Sequence, residues 1–397
     1  MGKQKSKFIK SSIKFSFREI LMQVPFFDWK SLYLEKEEEF SKIISKTLKK
    51  GAFILQADVS SFEEKLRNFL GIKHAVAVAD GTNAILLGLR ASGVRMGDEV
   101  ILPSHSFIAA AQSIYHVGAR PVPVEMSEED WLISTEAIET AITKNTVGIM
   151  PVHVNGRCCQ MDYIMDIAER YNLKVFEDSA QAMGAKYEGR SAGSIGDWGT
   201  YSFYPSKTLG CFGDAGALVT NSDEIYEKVL AMRNHGADEN KTIPLETNIW
   251  GTNCRLDNVQ AAILSFKMEY YTQVIERRRQ IAQAYHDTLK KYSDVRLPPA
   301  PNDSGKNFDI FQNYEFCTAK RDDLRKFLGD NGVGTIIQWG GFGIHMLENL
   351  GLKANLPITD KFFKESLLLP LNHVMTDPQI EFVCELLNKF FSGDIHG

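Results

Sequence analysis

The chain has 397 residues, of which 44% are apolar, and carries a formal net charge of −5 at pH 7. This length and composition allow a large core, in two domains or in one large domain with an appendage. The acidic balance gives no sign of a nucleic-acid partner, and no apolar stretch is long enough to span a membrane. The six cysteines show no Cys-x-x-Cys spacing, so we predict reduced thiols, no metal site and a cytoplasmic location.

The first 24 residues differ from the rest because basic residues alternate with scattered Phe and Ile. No uninterrupted apolar segment follows them, so a secretory signal is not predicted. We interpret residues 1–24 as a basic N-terminal extension that is flexible or packs against another subunit. A weak amphipathic helix that touches a membrane surface is the alternative.

From Lys73 onward, short apolar runs alternate with stretches that have helical spacing, such as 84–91 and 162–171. Strands alternating with helices indicate an α/β fold, with a mostly parallel sheet covered on both faces. The predicted strands are 74–79, 99–102, 120–124, 147–152, 173–176 and 201–204.

The pattern changes after Gln260, where a single long helix is predicted over residues 261–291. The prolines at 298, 299 and 301 end this segment. The remainder predicts a smaller α+β unit with a terminal helix at 377–391. We therefore predict a large domain over residues 25–270 and a small C-terminal domain over residues 271–397.

Lys207 and Asp178 predict a cofactor pocket. Lys207 follows an apolar run and Pro205, so its amine is expected to be partly desolvated, with a lowered pKa. A lysine that is sometimes neutral can form a Schiff base with an aldehyde. Asp178 ends a predicted strand, where ligands bind in open α/β sheets, and can pair with a pyridinium nitrogen. Together the two residues indicate a pyridoxal phosphate site, although each alone can be a cap or a surface group.

The segment Asp80-Gly81-Thr82-Asn83 lies between a predicted strand and a predicted helix. Backbone N–H groups at a helix start, together with hydroxyls, bind phosphate well. An ordinary N-cap turn has the same sequence features.

Several motifs in a shared order make the chain resemble the DegT/DnrJ/EryC1/StrS family of sugar aminotransferases. The resemblance runs from Pro25 to the C-terminus. The motifs that carry it are Pro-Phe-Phe-Asp-Trp at 25–29, Gly-Ala-Phe-Ile-Leu at 51–55, Ala-Asp-Gly-Thr-Asn-Ala at 79–84, Gly-Asp-Glu-Val-Ile at 97–101, Pro-Val-His-Val-Asn-Gly at 151–156 and Asn-Cys-Arg-Leu-Asp-Asn at 253–258.

The resemblance implies the pyridoxal-phosphate-dependent transferase fold of type I, as in aspartate aminotransferase. It assigns Lys207 and Asp178 the catalytic roles. It also implies that Phe107 stacks on the pyridine ring and that Gln181 binds the ring oxygen. The phosphate ligands that it implies are Gly81, Thr82, Ser202 and, from the neighbouring subunit, Asn253. The unit implied is therefore a homodimer with shared active sites.

The activity that the resemblance implies is transfer of an amino group from L-glutamate to a nucleotide-linked keto-deoxy sugar. Such enzymes make amino sugars for surface polysaccharides or glycoconjugates. The stretch from Phe203 to Asp214 resembles members that act on a 3-keto sugar more than members that act on a 4-keto sugar. A pyridoxal-phosphate-dependent sugar dehydratase and a cofactor-free regulator on the same fold are the alternatives. Dehydratases of the family replace the lysine with histidine, whereas this chain keeps Lys207.

The segment 336–345 departs from the family pattern. Trp339 can stack on a sugar face and His345 can donate a hydrogen bond in the sugar pocket. Both can equally serve domain packing, so we include neither in the predicted catalytic set.

Overall fold

The computed structural model describes residues 22–237, 247, 249–302 and 305–393. Most of the predicted N-terminal extension lies outside the described residues. Its last residue, Val24, is buried: its N–H donates to the Gly332 carbonyl at 2.9 Å and its carbonyl accepts from the Gly334 N–H at 2.8 Å.

The described residues form helices at both ends of the chain and between the strands. The α-helices are α1 Trp29–Leu34, α2 Glu37–Lys49, α3 Ala57–Leu70, α4 Gly81–Ala91, α5 Ile108–His116, α6 Thr135–Ala141, α7 Met161–Tyr171, α8 Asp223–Met232, α9 Asn258–Lys267, α10 Tyr271–Leu289, α11 Arg321–Asp330, α12 Pro357–Glu365 and α13 Asp377–Ser392. Short 3-10 turns occur at Val154–Gly156, Met268–Tyr270, Gln338–Gly341, Ile344–Met346 and Glu348–Leu350.

The strands form one large sheet and two small ones. They are β1 His74–Val78, β2 Glu99–Pro103, β3 Arg120–Val124, β4 Thr146–Ile149, β5 Lys174–Asp178, β6 Lys186–Tyr187, β7 Arg190–Ser191, β8 Trp198–Ser202, β9 Gly216–Thr220, β10 Val295–Arg296, β11 Asn307–Phe308, β12 Tyr314–Thr318 and β13 Ser366–Leu369.

The large sheet has the order β1-β9-β8-β5-β4-β2-β3, and all of its strands run parallel except β9. The predicted mostly parallel sheet is thereby confirmed. The predicted strand at 201–204 begins three residues and ends two residues too late, because the strand spans Trp198–Ser202 and its ladder ends where Ser202 pairs with Gly216. We did not predict β9, a run of five buried residues that pairs with β1 and β8.

Helices pack on both faces of the large sheet. Phe62 of α3, Ile164 of α7 and Leu264 of α9 are buried on one face. Leu87 of α4 and Ile114 of α5 are buried on the other. The strand ends between these two cores are thus held in a rigid frame, which carries the site described below.

The single long helix predicted over residues 261–291 is wrong. The structure has α9, then a 3-10 turn at Met268–Tyr270, then α10. The turn changes the course of the chain: α10 begins against the same core as Leu264 of α9, through Val274, and ends in a separate core with strands β12 and β13, through Tyr285. The turn lies beside residue 270, where we predicted a domain boundary, and that boundary stays a prediction.

The second core belongs to the sheet β10-β12-β13, with α10, α11 and α13 packed against it. The α+β character predicted for the C-terminal part matches this arrangement. Among the described residues, no helix combines the length and the apolar character needed to cross a membrane.

Candidate active site

A cavity of about 560 Å³ lies at the carboxyl end of the parallel strands. This edge of an open α/β sheet is where ligands bind. The cavity brings together seven of the eight predicted site residues: Gly81, Thr82, Phe107, Asp178, Gln181, Ser202 and Lys207. Residues more than a hundred positions apart in sequence therefore line the same cavity.

The Asp80–Thr82 end of the cavity is a helix start. Asp80 caps α4 by accepting the Asn83 N–H at 2.8 Å, and α4 begins at Gly81. A Cβ atom on Gly81 would lie 3.0 Å from the Ser202 Cβ, and one on Gly216 would lie 2.3 Å from the Asp80 carbonyl carbon. Glycines at both positions let the helix start approach β8 and β9 closely. The result is a concave corner at the positive end of a helix dipole, which suits a phosphate group.

Asp178 also lines the cavity, as the last residue of β5, and is 7% exposed. One of its carboxylate oxygens accepts the Ala180 N–H at 3.1 Å. Burial raises the pKa of Asp178, and the Ala180 N–H and the positive charge of Lys207 partly offset that rise. A cationic ring nitrogen beside Asp178 would stabilise its ionised form further.

Glu177, the residue before Asp178, fixes the same strand end by hydrogen bonds on the other face of the sheet. The Nδ1 atom of His153 accepts the Cys159 N–H at 3.0 Å, so the hydrogen is on Nε2, which donates to Glu177 at 2.9 Å. Glu177 also accepts the N–H groups of Gly193, Ile195 and Gly196. We missed this anchor in the sequence, although two successive acids ending an apolar strand must point to opposite faces.

Gln181 has a fixed amide orientation. Its Oε1 atom accepts the Asn155 N–H at 2.7 Å, which leaves its Nε2 group as a donor for an acceptor in the cavity. Asn155 is itself held by side chains from β12 and the segment before it. It donates to Glu315 at 2.7 Å and accepts from Asn313 at 2.8 Å. A ring oxygen is the acceptor that such a donor would bind.

Lys207 lies in the segment that connects β8 and β9, where its N–H donates to the Tyr204 carbonyl at 2.8 Å. The residue is half-buried, and desolvation lowers the pKa of its amine to about 8, against the opposing effect of the Asp178 charge. The lowered pKa expected from the sequence is therefore present.

A second lysine has the same pKa but lies elsewhere. Burial lowers the pKa of Lys267 to about 8, yet its amine donates to the Gly210 carbonyl at 2.6 Å and lies 4.6 Å from the centre of the Phe212 ring. Lys267 does not line the 560 Å³ cavity. Location, rather than pKa, therefore distinguishes Lys207 as the candidate nucleophile.

The aromatic residues proposed for the pocket divide into two groups. Phe107 precedes α5 and is 56% exposed in the cavity, where its ring is free to stack on a planar ligand. Trp339 is half-buried and also lines the cavity. His345 does not: it is buried, 2.5 Å from the Ser104 Oγ and 2.9 Å from Asp360, and it packs the loop against the end of β2.

Asn253 is the predicted site residue that does not reach the cavity of its own chain. It is exposed and lies next to Cys254, whose carbonyl accepts the Ala79 N–H at 2.9 Å. Its segment thus extends the edge beside β1, and its side chain is accessible to another subunit.

The family model described as the DegT/DnrJ/EryC1/StrS aminotransferase family matches residues 34–388. The chain belongs to this family. It is 35% identical over 375 residues to the pleiotropic regulatory protein of Geobacillus stearothermophilus, covering 93% of this chain and 99% of the relative. It is 35% identical over 372 residues to the dTDP-3-amino-3,4,6-trideoxy-alpha-D-glucose transaminase of Streptomyces venezuelae, covering 93% of this chain and 96% of the relative.

Among solved structures, NtdA from Bacillus subtilis with the bound cofactor PMP superposes with a TM-score of 0.86 at 30% identity, over 95% of this chain and 86% of that one. The fold predicted from the resemblance is confirmed. This DegT/DnrJ/EryC1/StrS family member is a pyridoxal-phosphate-dependent aminotransferase.

The cavity residues fit pyridoxal 5′-phosphate. The start of α4 at Gly81 and Thr82, with the Ser202 hydroxyl, offers donors to the phosphate, and the buried Asp178 carboxylate suits a protonated ring nitrogen. Gln181 offers a donor to the ring oxygen, and Lys207 offers a partly neutral amine to the aldehyde. Each polar group of the cofactor thus has a complementary group in the cavity.

Proposed function

We propose that this aminotransferase moves an amino group from L-glutamate to the C3 keto group of a nucleotide-linked keto-deoxy sugar. The observation that carries the proposal is that Lys207 and Asp178 share one cavity with side chains suited to a sugar. Phe26, Phe27 and Trp339 also line it, beside the amide of Asn313. Aromatic rings pack on apolar sugar faces and amides bind hydroxyls. The 3-amino sugar in the name of the Streptomyces relative supports C3.

The residues of the chain divide the work of transamination. When bound, pyridoxal phosphate supplies an electron sink for the charge left after a Cα–H bond breaks. With the cofactor bound, the free amine of Lys207 would carry the proton to and from the Cα atom of the amino acid, as general base and acid. Asp178 holds the proton of the ring nitrogen. Phe107 and the helix start at Gly81 keep the ring and phosphate in place.

An absorbance spectrum of the protein loaded with pyridoxal phosphate tests the proposal. We expect a band from the lysine-bound cofactor that gives way to the pyridoxamine form when L-glutamate is added. Nucleotide-linked 3-keto sugars should then restore the first band faster than 4-keto sugars. Faster restoration by 4-keto sugars would reverse the assignment of the carbon, and a band indifferent to every amino donor would remove the proposed reaction.

The pH dependence of cofactor addition should follow the neutral fraction of Lys207. Only the neutral amine attacks an aldehyde, and the pKa of Lys207 is lowered to about 8, so the rate should rise with pH and level off above about 8. An ordinary lysine would give a midpoint about two units higher. Stopped-flow absorbance between about pH 6.5 and 10.5 measures this midpoint, and a value near 10 contradicts the assignment.

A regulator on the same fold is the second candidate function, because the Geobacillus relative is a pleiotropic regulatory protein. A regulator that had abandoned catalysis would need neither a lysine with a lowered pKa nor a buried acid in one cavity, and this chain has both. The dehydratase alternative is disfavoured by Lys207 itself. The glutamate experiment distinguishes the aminotransferase, the regulator and the dehydratase. Only the aminotransferase converts the cofactor to its amine form with L-glutamate and back to its aldehyde form with a keto sugar.

A homodimer with shared active sites is part of the proposal. The support is that Asn253 is exposed and lies outside the cavity of its own chain. If this asparagine reaches the cofactor phosphate of the partner subunit, each site needs Lys207 from one chain and Asn253 from the other.

Mixing two inactive variants tests this arrangement. An Asn253→Ala chain paired with a Lys207→Ala chain has one site with both residues intact. Since random exchange gives about half heterodimers, each with one such site, activity should return to about a quarter of the wild-type value at low cofactor concentration.

The control is a mixture of Asp178→Ala and Lys207→Ala chains. Both residues line the cavity of the same chain, so no site of the heterodimer is intact and activity should not return. Equal recovery in the two mixtures would contradict the shared site, as would no recovery with Asn253→Ala.

The broader setting that we propose is amino-sugar synthesis for a surface polysaccharide or glycoconjugate, in the cytoplasm. The six free thiols support that location, because such thiols persist in reducing compartments. The division into residues 25–270 and 271–397 is part of the same proposal.

A further inference from the structure

Gln312 holds both neighbours of Lys207 in sequence. Its Oε1 atom accepts the Thr208 N–H at 2.7 Å and the Thr208 hydroxyl at 2.8 Å. Its Nε2 group donates to the Ser206 carbonyl at 2.8 Å. The two ends of the amide meet groups of opposite character, so a flipped amide would place like groups together. This side chain is therefore hydrogen-bonded to the backbone on both sides of Lys207.

Gln312 is itself fixed by its main chain. Its N–H donates to the Asn155 carbonyl at 2.9 Å, and its carbonyl accepts from Arg278 of α10 at 2.5 Å. Arg278 also donates to the Phe311 carbonyl at 2.9 Å. Bonds from a buried guanidinium are among the stronger hydrogen bonds in proteins. Gln312 thus connects the backbone around Lys207 to α10 and to the turn at Asn155 through hydrogen bonds.

We infer that Gln312 is a positioning residue for Lys207, and that it keeps the amine aimed into the cavity by clamping Ser206 and Thr208. The inference rests on the proposed role of Lys207. It identifies a role for a residue of the segment that precedes β12, far in sequence from the lysine that it holds.

The clamp matters because a lysine side chain has four rotatable bonds and reaches its target only from a fixed backbone. Misplacement by about 1 Å can cost about 100-fold in rate. The same clamp links two parts of the site: the Asn155 N–H fixes Gln181, while the Asn155 carbonyl fixes Gln312. The donor to the cofactor ring and the lysine are therefore held by one residue.

The test is a Gln312→Leu variant of the loaded enzyme, which has a side chain of similar size but removes all three hydrogen bonds. We expect kcat to fall about 10- to 100-fold, with KM for L-glutamate within about 2-fold of wild type. The pH midpoint of cofactor addition should rise by about one pH unit, because water reaches the less constrained Lys207 amine. A merely structural role would lower thermal stability without moving this midpoint.

Gln312→Glu is the second variant, and it keeps the inference testable if Gln312→Leu does not fold. Its carboxylate can still accept from Thr208 but cannot donate to the Ser206 carbonyl, so kcat should fall between the wild-type and Gln312→Leu values. The added negative charge should also raise the midpoint.

Gln260→Leu is the matched control. Gln260 binds the Phe212 N–H at 3.0 Å, in the same connection but five residues beyond Lys207. The kcat of the Gln260→Leu variant and its pH midpoint of cofactor addition should stay at wild-type values. Unchanged kcat and midpoint in both Gln312 variants, or a change in KM alone, would overturn the inference. A wild-type protein without a glutamate-sensitive band would instead remove the proposed function, so the two failures are distinguishable.

Discussion

Replacing Lys207 with alanine is expected to lower turnover by about 10⁴-fold or more and to remove the absorbance band of the lysine-bound cofactor. The change deletes the amine that bonds to the aldehyde and the group that carries the proton. Pyridoxal phosphate should still bind through its phosphate and ring, because the corner at Gly81 and the Asp178 carboxylate are untouched. Absorbance spectroscopy and steady-state kinetics measure the two effects.

Lys267→Met is the matched control for that experiment. Lys267 has the same lowered pKa but donates to the Gly210 carbonyl and lies outside the cavity. The variant should keep the cofactor band and lose only stability. Loss of the band in Lys267→Met together with its retention in Lys207→Ala would exchange the roles of the two lysines.

Replacing Asp178 with asparagine is expected to lower turnover by about 10²- to 10⁴-fold and to weaken cofactor binding. The amide keeps an acceptor for the Ala180 N–H, but it cannot stabilise a protonated ring nitrogen. A second effect needs no turnover: the Asp178 charge raises the pKa of Lys207, so the midpoint for cofactor addition should move below about 8 in the variant. Cofactor titration, kinetics and stopped-flow absorbance measure the three quantities.

Asp197→Asn is the control for Asp178. Asp197 accepts the Val175 N–H at 2.7 Å, near the start of the strand that Asp178 ends. The same change of carboxylate to amide, one strand length from the cavity, should leave cofactor affinity and the midpoint unchanged. Wild-type turnover and affinity in Asp178→Asn would show that the ring nitrogen does not depend on this acid.

The sequence predicts those parts of the site that depend on local order. Asp178 ends an apolar strand and Gly81 follows one, and parallel strands bring their carboxyl ends to one edge. These two facts place the acid and the phosphate corner on the same side of the sheet without knowledge of the pairing. The lowered pKa of Lys207 follows from its apolar neighbours in the same way.

The contacts that the sequence does not predict depend on long-range packing. Gln312 looks like a surface amide in sequence, and nothing near it indicates that it meets Thr208 across 104 positions. The turn between α9 and α10 is not evident in the sequence because both helices have suitable helical spacing, and α10 leaves the core that it shares with α9 only in its later turns. For His345, hydrogen-bonding capacity alone cannot distinguish a sugar pocket from the contact with Ser104 that the structure shows.

The antiparallel strand β9 affects when, during folding, the chain becomes able to bind the cofactor. Its pairing with β8 joins near neighbours, whereas its pairing with β1 brings Val78 to Gly216 and closes a chain segment of about 140 residues. Non-local pairings of this kind form slowly and late in folding. The corner that we propose for the phosphate needs both pairings, so a partly folded chain lacks it. We therefore expect the cofactor to bind the native state in preference to unfolded forms, and a higher cofactor concentration to favour the folded enzyme.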